Sequence, residues 1–377
     1  MLVSCLLTLA AAWSSSATAS QPQIALQAES SNRRPAPSSA ASLSAGSNAS
    51  ASVISPELFA ELEELARIVD ISYCVGSVGL GVQKPFSCPS RCGDFPNFEL
   101  VTTWNTGPML SDSCGYIALS HPPSPKRIVV AFRGTYSLSN TIADLSTMPQ
   151  EYSPYPGVED PDAEPHVPKC LNCTVHTGFY TSWANTRDVV LPHILDALKH
   201  HPDYAITLVG HSLGGAVAAL AGLDLLARGL RPTVTTFGEP RIGNADLARY
   251  LDERFNLTRR AHDMAAPRDS AAFRRVTHAA DPIPLLPLDE WGYKPHSGEI
   301  YIAKRDLPPN VTDVRHCDGP EDKHCIAIPD EGGFWAIPAR FKLWQLFFAH
   351  RDYFWRLGLC VPTMDGWWPQ QMEETDL

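Results

Sequence analysis

Gly210-His211-Ser212-Leu213-Gly214 is a Gly-x-Ser-x-Gly pentapeptide set between an apolar run and a stretch of small residues. A serine hydroxyl is a weak nucleophile. Chemistry on it needs exposure, a base to take its proton, and donors for the oxyanion that results. A sharp strand-to-helix turn provides the exposure, and glycine on either side leaves room for it. Ala205-Ile206-Thr207-Leu208-Val209 reads as the buried strand, and Ala216 to Arg228 as the helix. That helix also aims its free N–H groups at the serine, where negative charge would develop.

Such an elbow predicts a carboxylate and then a histidine later in the chain. Asp281 is the strongest carboxylate, because it follows the strand-like Arg275-Val276-Thr277-His278-Ala279-Ala280 and precedes a loop stiffened by Pro282 and Pro284. A turn-forming Asp-Pro is the plainer reading of the same residues. Four histidines follow. His296 lies only fifteen residues on, and His316 and His324 fall in a polar, cysteine-bounded loop that reads as solvated surface. His350 stands in Leu346-Phe347-Phe348-Ala349-His350-Arg351-Asp352-Tyr353-Phe354. There an imidazole is shielded from bulk water and can still accept a proton. The competing reading is a histidine packed in an apolar core.

The elements that must carry these groups alternate. Ile128 to Phe132, Ala205 to Val209 and Val234 to Phe237 read as strands, while Val189 to Lys199 and Ala216 to Arg228 read as helices. This is the pattern of an α/β fold with a central, mostly parallel sheet flanked by helices. An amphipathic helix precedes them at Pro56 to Val69, with Ser55 as its cap. Residues 1–19 read as a signal peptide, short and apolar and ending in Ala17-Thr18-Ala19. Residues 20–55 are a low-complexity propeptide or linker, rich in Ser, Ala and Pro. A single catalytic domain is expected over 56–361, with a polar tail at 362–377. A formal charge of −11 argues against a nucleic-acid partner.

Secretion changes how the ten cysteines are read. Cys5 leaves with the signal. Close pairs stand at Cys88/Cys92, Cys170/Cys173 and Cys317/Cys325, and a bond between Cys74 and Cys360 would close a long loop, leaving Cys114 unpaired. His316-Cys317 and His324-Cys325 also offer metal-ligand types, but an oxidising route favours a disulfide there. Sequons occur at Asn48, Asn172, Asn256 and Asn310.

Six separate stretches resemble the filamentous-fungal class 3 lipase family of the α/β-hydrolase superfamily. They are Ala131-Phe132-Arg133-Gly134-Thr135, Val175-His176-Thr177-Gly178-Phe179, Gly210 to Gly215, Gly238-Glu239-Pro240-Arg241-Ile242-Gly243-Asn244, Thr277-His278-Ala279-Ala280-Asp281-Pro282 and Ala349-His350-Arg351-Asp352-Tyr353-Phe354. The resemblance implies an α/β-hydrolase fold with Ser212 as nucleophile, Asp281 as orienting carboxylate and His350 as general base and acid. It implies an oxyanion hole from the N–H groups of Thr135 and Leu213, with Asp144 holding the Thr135 hydroxyl. It implies the disulfides Cys74–Cys360, Cys88–Cys92 and Cys170–Cys173; Cys317–Cys325 is inferred from proximity alone.

The resemblance further implies a short helical lid over an acyl groove. In Ser137 to Leu145 the residues Leu138, Ile142 and Leu145 recur at helical spacing and give one apolar face. The expected activity is that of a secreted triacylglycerol lipase, a monomer acting on lipid or ester substrate at an oil–water interface. Transient contact with a membrane or lipid surface is expected, with no metal and no cofactor. A feruloyl-type aryl esterase is the alternative, favoured by a more polar lid. A non-catalytic lipid-surface binding protein is the third reading, and it would be expected to lack a triad member.

Overall fold

The computed structural model describes residues 53–76, 81–107, 112–135, 148–154, 166–258, 268–326 and 348–361. All of them fall in one compact unit, Ala49–Leu377. The expected lid residues Leu138, Ile142 and Leu145, together with Asp144, lie outside the described residues. So do the expected signal peptide, nearly all of the linker, and the polar tail.

The main sheet has eight strands. In chain order these are β1 (Phe98–Asn105), β2 (Cys114–Ser120), β3 (Arg127–Phe132), β6 (Ala205–His211), β7 (Thr233–Phe237), β9 (Phe273–His278), β11 (Glu299–Ile302) and β12 (Val314–His316), and they lie side by side in that same order. Strands β3, β6, β7, β9 and β11 run parallel, while β1–β2, β2–β3 and β11–β12 are antiparallel pairs. A smaller antiparallel sheet joins β4 (Pro149–Glu151), β5 (Thr174–His176), β8 (Gly243–Asn244) and β10 (Tyr293–Lys294).

Both faces of the main sheet are covered, and the two-residue period of β3 sorts its side chains between them. Ile128, Val130 and Phe132 join one apolar cluster; Val129 and Ala131 join the other. The first cluster is closed by α2 (Thr177–His200), α3 (Leu213–Ala227) and α4 (Ala245–Arg254), the second by α1 (Pro56–Ile71). The Ser55 hydroxyl accepts from the Leu58 amide at 3.1 Å, and Pro56 occupies the first turn of α1. Helix α3 is buried on nearly every side, which its Gly and Ala content permits. No described helix is long and apolar enough to cross a membrane.

Two elements differ from the sequence reading. Helix α2 begins twelve residues before Val189 and runs through Pro192. Its first half has weak helix formers and is held by tertiary contacts instead. The Ser182 hydroxyl reaches the Asp112 carbonyl at 3.1 Å, and the Trp183 indole reaches Asp224 at 2.8 Å. His316 is not solvated surface: it lies on β12, 8 % exposed, with Nε2 2.6 Å from Asp269. His324 is exposed.

Disulfides join Cys74 to Cys360, Cys88 to Cys92, Cys170 to Cys173 and Cys317 to Cys325, and Cys114 is a buried free thiol. The first ties the end of α1 to the C-terminal loop across 286 residues. Closing so long a loop restricts the unfolded chain strongly. The double substitution Cys74→Ser/Cys360→Ser is therefore expected to destabilise folding by about 2–5 kcal/mol in denaturant titrations. An unchanged unfolding midpoint would show that this cross-link adds nothing.

Candidate active site

The strand β6 ends at His211, and α3 begins at Leu213, so Ser212 alone makes the turn. Its backbone sits at φ 58, ψ −130, a region that side chains rarely enter. Close packing enforces the turn: a Cβ on Gly210 would stand 2.1 Å from the Gly214 carbonyl oxygen. The Ser212 amide donates to the Phe237 carbonyl of β7 at 2.9 Å, while its own carbonyl accepts from Gly215. The end of β3 comes equally near, since a Cβ on Gly134 would meet the Ser212 Cβ at 2.9 Å. This brings Gly134-Thr135 beside the elbow. Leu213 stands in the first turn of α3, where backbone N–H groups have no acceptor within the helix.

Asp281 lies just beyond β9, 2 % exposed. Its carboxylate accepts from the Ile283 amide at 2.9 Å and from the Tyr353 hydroxyl at 2.6 Å. His350 Nδ1 approaches both carboxylate oxygens, at 3.0 and 2.9 Å. A carboxylate only accepts, so Nδ1 carries the proton and Nε2 presents a lone pair. Among the described residues, the buried Ser212 Oγ and His350 Nε2 each have no hydrogen-bond partner. The structure thus gathers Ser212, Asp281 and His350, with Thr135 and Leu213 beside the serine.

Three contributors escaped the sequence reading. His211, inside the pentapeptide, donates through Nε2 to the His350 carbonyl at 2.7 Å and accepts from the Tyr73 hydroxyl through Nδ1. Its ring lies 4.6 Å from that of His350. Burial, reinforced by the neighbouring His350, holds His211 well below the ordinary imidazole value, so it stays neutral. Tyr353 stands three residues beyond His350, inside Ala349 to Phe354, and that proximity was the available signal. Tyr73 carried no local signal, because only the fold brings it to His211. His296, only fifteen residues beyond Asp281, is buried against Glu239 at 3.1 Å.

A nucleophile elbow on a mostly parallel sheet, with a carboxylate and a histidine supplied later in the chain, defines an α/β-hydrolase. Residues 129–291 match the model of the class 3 lipases. The chain is 52 % identical over 352 residues to a secreted mono- and diacylglycerol lipase 2 of Gibberella zeae, covering 83 % of this chain and 84 % of that protein. It is 50 % identical over 356 residues to lipase A of Sodiomyces alcalophilus, with the same coverage. The crystal structure of Lip2 lipase from Yarrowia lipolytica superposes with a TM-score of 0.68 at 32 % identity, covering 82 % of this chain and 98 % of that one. The chain belongs to the class 3 lipase family, and it is a secreted carboxylic ester hydrolase.

Burial also sets a pH dependence. It lowers His211, His278 and His316 from the ordinary value near 6.5, because the charged form loses its hydration. The unfolded chain then binds more protons than the folded one below that value. Their contribution is complete above about pH 6.5 and is lost as the pH falls toward their lowered folded values. Asp70 and Asp252, pushed up by burial, act in the opposite sense, and their contribution is complete only below the ordinary value of 3.8. Thermal melts are expected to show Tm falling as the pH drops below about 6.5. A Tm constant from about pH 7 to 5 would contradict neutral burial of these rings.

Proposed function

We propose that this chain is an acylglycerol lipase working through an acyl-enzyme intermediate on Ser212. The observation that carries the reading is the pair of buried, unpartnered atoms, Ser212 Oγ and His350 Nε2, with the far side of His350 fixed on Asp281. Ser212 attacks the ester carbonyl while His350 Nε2 takes its proton. The C–O bond to the glycerol side then breaks, and His350 returns the proton to the departing alcohol. Water, deprotonated by the same imidazole, attacks the acyl-enzyme and releases the fatty acid and Ser212. Asp281 stabilises the imidazolium formed in each half.

The N–H groups of Thr135 and Leu213 are the proposed oxyanion donors, with Asp144 positioning the Thr135 hydroxyl. The loss of one such donor typically lowers turnover about 100- to 1,000-fold. The segment Ser137 to Leu145 is proposed as the lid, and the enzyme as a monomer engaging an oil–water interface transiently. The name of the Gibberella zeae relative supports mono- and diacylglycerols as substrates. Triacylglycerol is included, since the ester and its leaving alcohol present the same chemistry to the site.

A serine-directed phosphonate is expected to label the wild-type protein at Ser212 and to leave Ser212→Ala unlabelled. Ser212→Ala and His350→Ala are expected to lower kcat about a million-fold, and Asp281→Ala somewhat less. Near-wild-type turnover in folded His350→Ala would remove it from the mechanism. In a substrate panel, release of fatty acid is expected from mono-, di- and triacylglycerol emulsions. Hydrolysis of methyl ferulate with none of the three emulsions would replace the lipase reading with an aryl esterase.

A further inference from the structure

The residue after Gly238 leads into a second buried polar group that the reaction above does not use. Gly238 itself, at φ 60, lies directly against the proposed catalytic pair. A Cβ there would meet the Tyr353 hydroxyl at 2.7 Å, Asp281 Oδ2 at 2.8 Å and His350 Cε1 at 2.9 Å. Whatever fixes this turn therefore fixes the backing of the His350–Asp281 contact. One support is the Gly238 amide, donating to Val276 of β9 at 3.0 Å. The other is Glu239, 1 % exposed.

Glu239 has two partners. Its Oε2 accepts from the Thr236 hydroxyl at 2.6 Å, and its Oε1 faces His296 Nε2 at 3.1 Å. On the other side of the ring, His296 Nδ1 faces the Ser297 carbonyl at 2.7 Å. A carbonyl can only accept, so Nδ1 bears a proton. The proton on the other contact must lie between Nε2 and the carboxylate, because two acceptors cannot bond each other. Phe273 covers the ring edge-on at 4.7 Å. The other charged groups facing the pair are Asp252, held by the Ser297 amide and hydroxyl at 2.8 and 2.7 Å, and the Arg275–Glu299 ion pair at 3.0 Å.

We propose that His296 is a positioning residue for ester hydrolysis: through its hydrogen bonds to Glu239 and the Ser297 carbonyl it holds Glu239, and so the Gly238 turn, against the His350–Asp281 pair. Loss of the His296 contact leaves a buried carboxylate oxygen without its donor, which drives Glu239 from its seat. The turn it anchors then relaxes. A misplacement of about 1 Å at a reacting pair lowers turnover about 100-fold. The inference rests on the proposed roles of His350 and Asp281.

The test is kcat and KM on a monoacylglycerol for wild type, His296→Gln, and His296→Gln/Glu239→Gln. The glutamine in the single variant carries two N–H donors on one nitrogen, in place of the two opposed nitrogens of the ring, and no titratable proton. It is expected to lower kcat about 10- to 100-fold with KM within about twofold. The double variant places two amides face to face and is expected to recover most of the lost kcat. Phosphonate labelling of Ser212 separates the two hypotheses. Failure to label the wild type sinks the catalytic reading. Normal labelling with an unchanged kcat in His296→Gln overturns the positioning role alone. A fall in kcat that tracks a fall in Tm, with no recovery in the double variant, also overturns it, since His296 would then be merely structural.

Discussion

The rest of the structure depends on a single strained residue held where chemistry needs it. Ser212 occupies φ 58, ψ −130, at a cost of about 1–3 kcal/mol for a side-chain-bearing residue. Nothing local favours this. The strain is offset by the pairing of Phe132 with Gly210 across β3 and β6, by the Phe237 carbonyl of β7, and by the burial of α3 behind the turn. The apolar core and the elbow are therefore one construction. The small residues of α3 let that helix sit close enough to compress the turn, and strands on both sides leave it no other path.

The histidine poses the opposite problem, because it arrives on an irregular segment with no ladder to fix it. Several contacts substitute. His211 grips the His350 carbonyl, Arg351 binds the Gly358 carbonyl at 2.7 Å, and Tyr353 binds Asp281. The Gly358 amide in turn donates to buried Asp70 at 2.6 Å, and Cys360 is bonded to Cys74. Both last anchors lie at the end of α1. Tyr73, between them, bonds His211 beside Ser212. One turn of chain, residues 70 to 74, thus secures the C-terminal loop and braces the elbow, which explains why a helix so far away in sequence packs as one unit with the proposed catalytic residues.

The parts of this arrangement governed by local rules could be read from the chain alone. The strand of β6, the small-residue helix and the Gly-x-Ser-x-Gly turn follow from periodicity and from the room that glycine leaves. Asp281 could be found because strand ends followed by proline make rigid loops, and His350 because the resemblance assigned it a role that its aromatic surroundings left open. What escaped was set by long-range contact. Strand β1 lost its alternation at an irregularity between Leu100 and Thr102, and the first half of α2 is helical only because Trp183 and Ser182 find distant partners. His316 looked solvated among polar neighbours, yet Asp269, 47 residues away, makes its burial tolerable.

Electrostatics connects these observations. A cation next to His350 would oppose formation of the imidazolium that ester cleavage requires, and the nearest ring is another histidine. The structure resolves this by hydrogen-bond direction: His211 gives its only proton to a carbonyl and takes one from Tyr73, so burial keeps it neutral. The polar groups left over are then informative. Buried hydrogen-bonding atoms are nearly always satisfied, and leaving one unsatisfied costs about 1–3 kcal/mol. Most of the orphaned atoms among the described residues are arginine Nε atoms; Ser212 Oγ and His350 Nε2 are among the exceptions. Under the proposed mechanism both are satisfied as the proton moves and the tetrahedral oxyanion forms. Interactions missing at rest and made at the transition state are those that raise turnover rather than affinity alone. Under that mechanism, the same strain and the same unmet bonds that make the elbow costly to fold are what make it reactive.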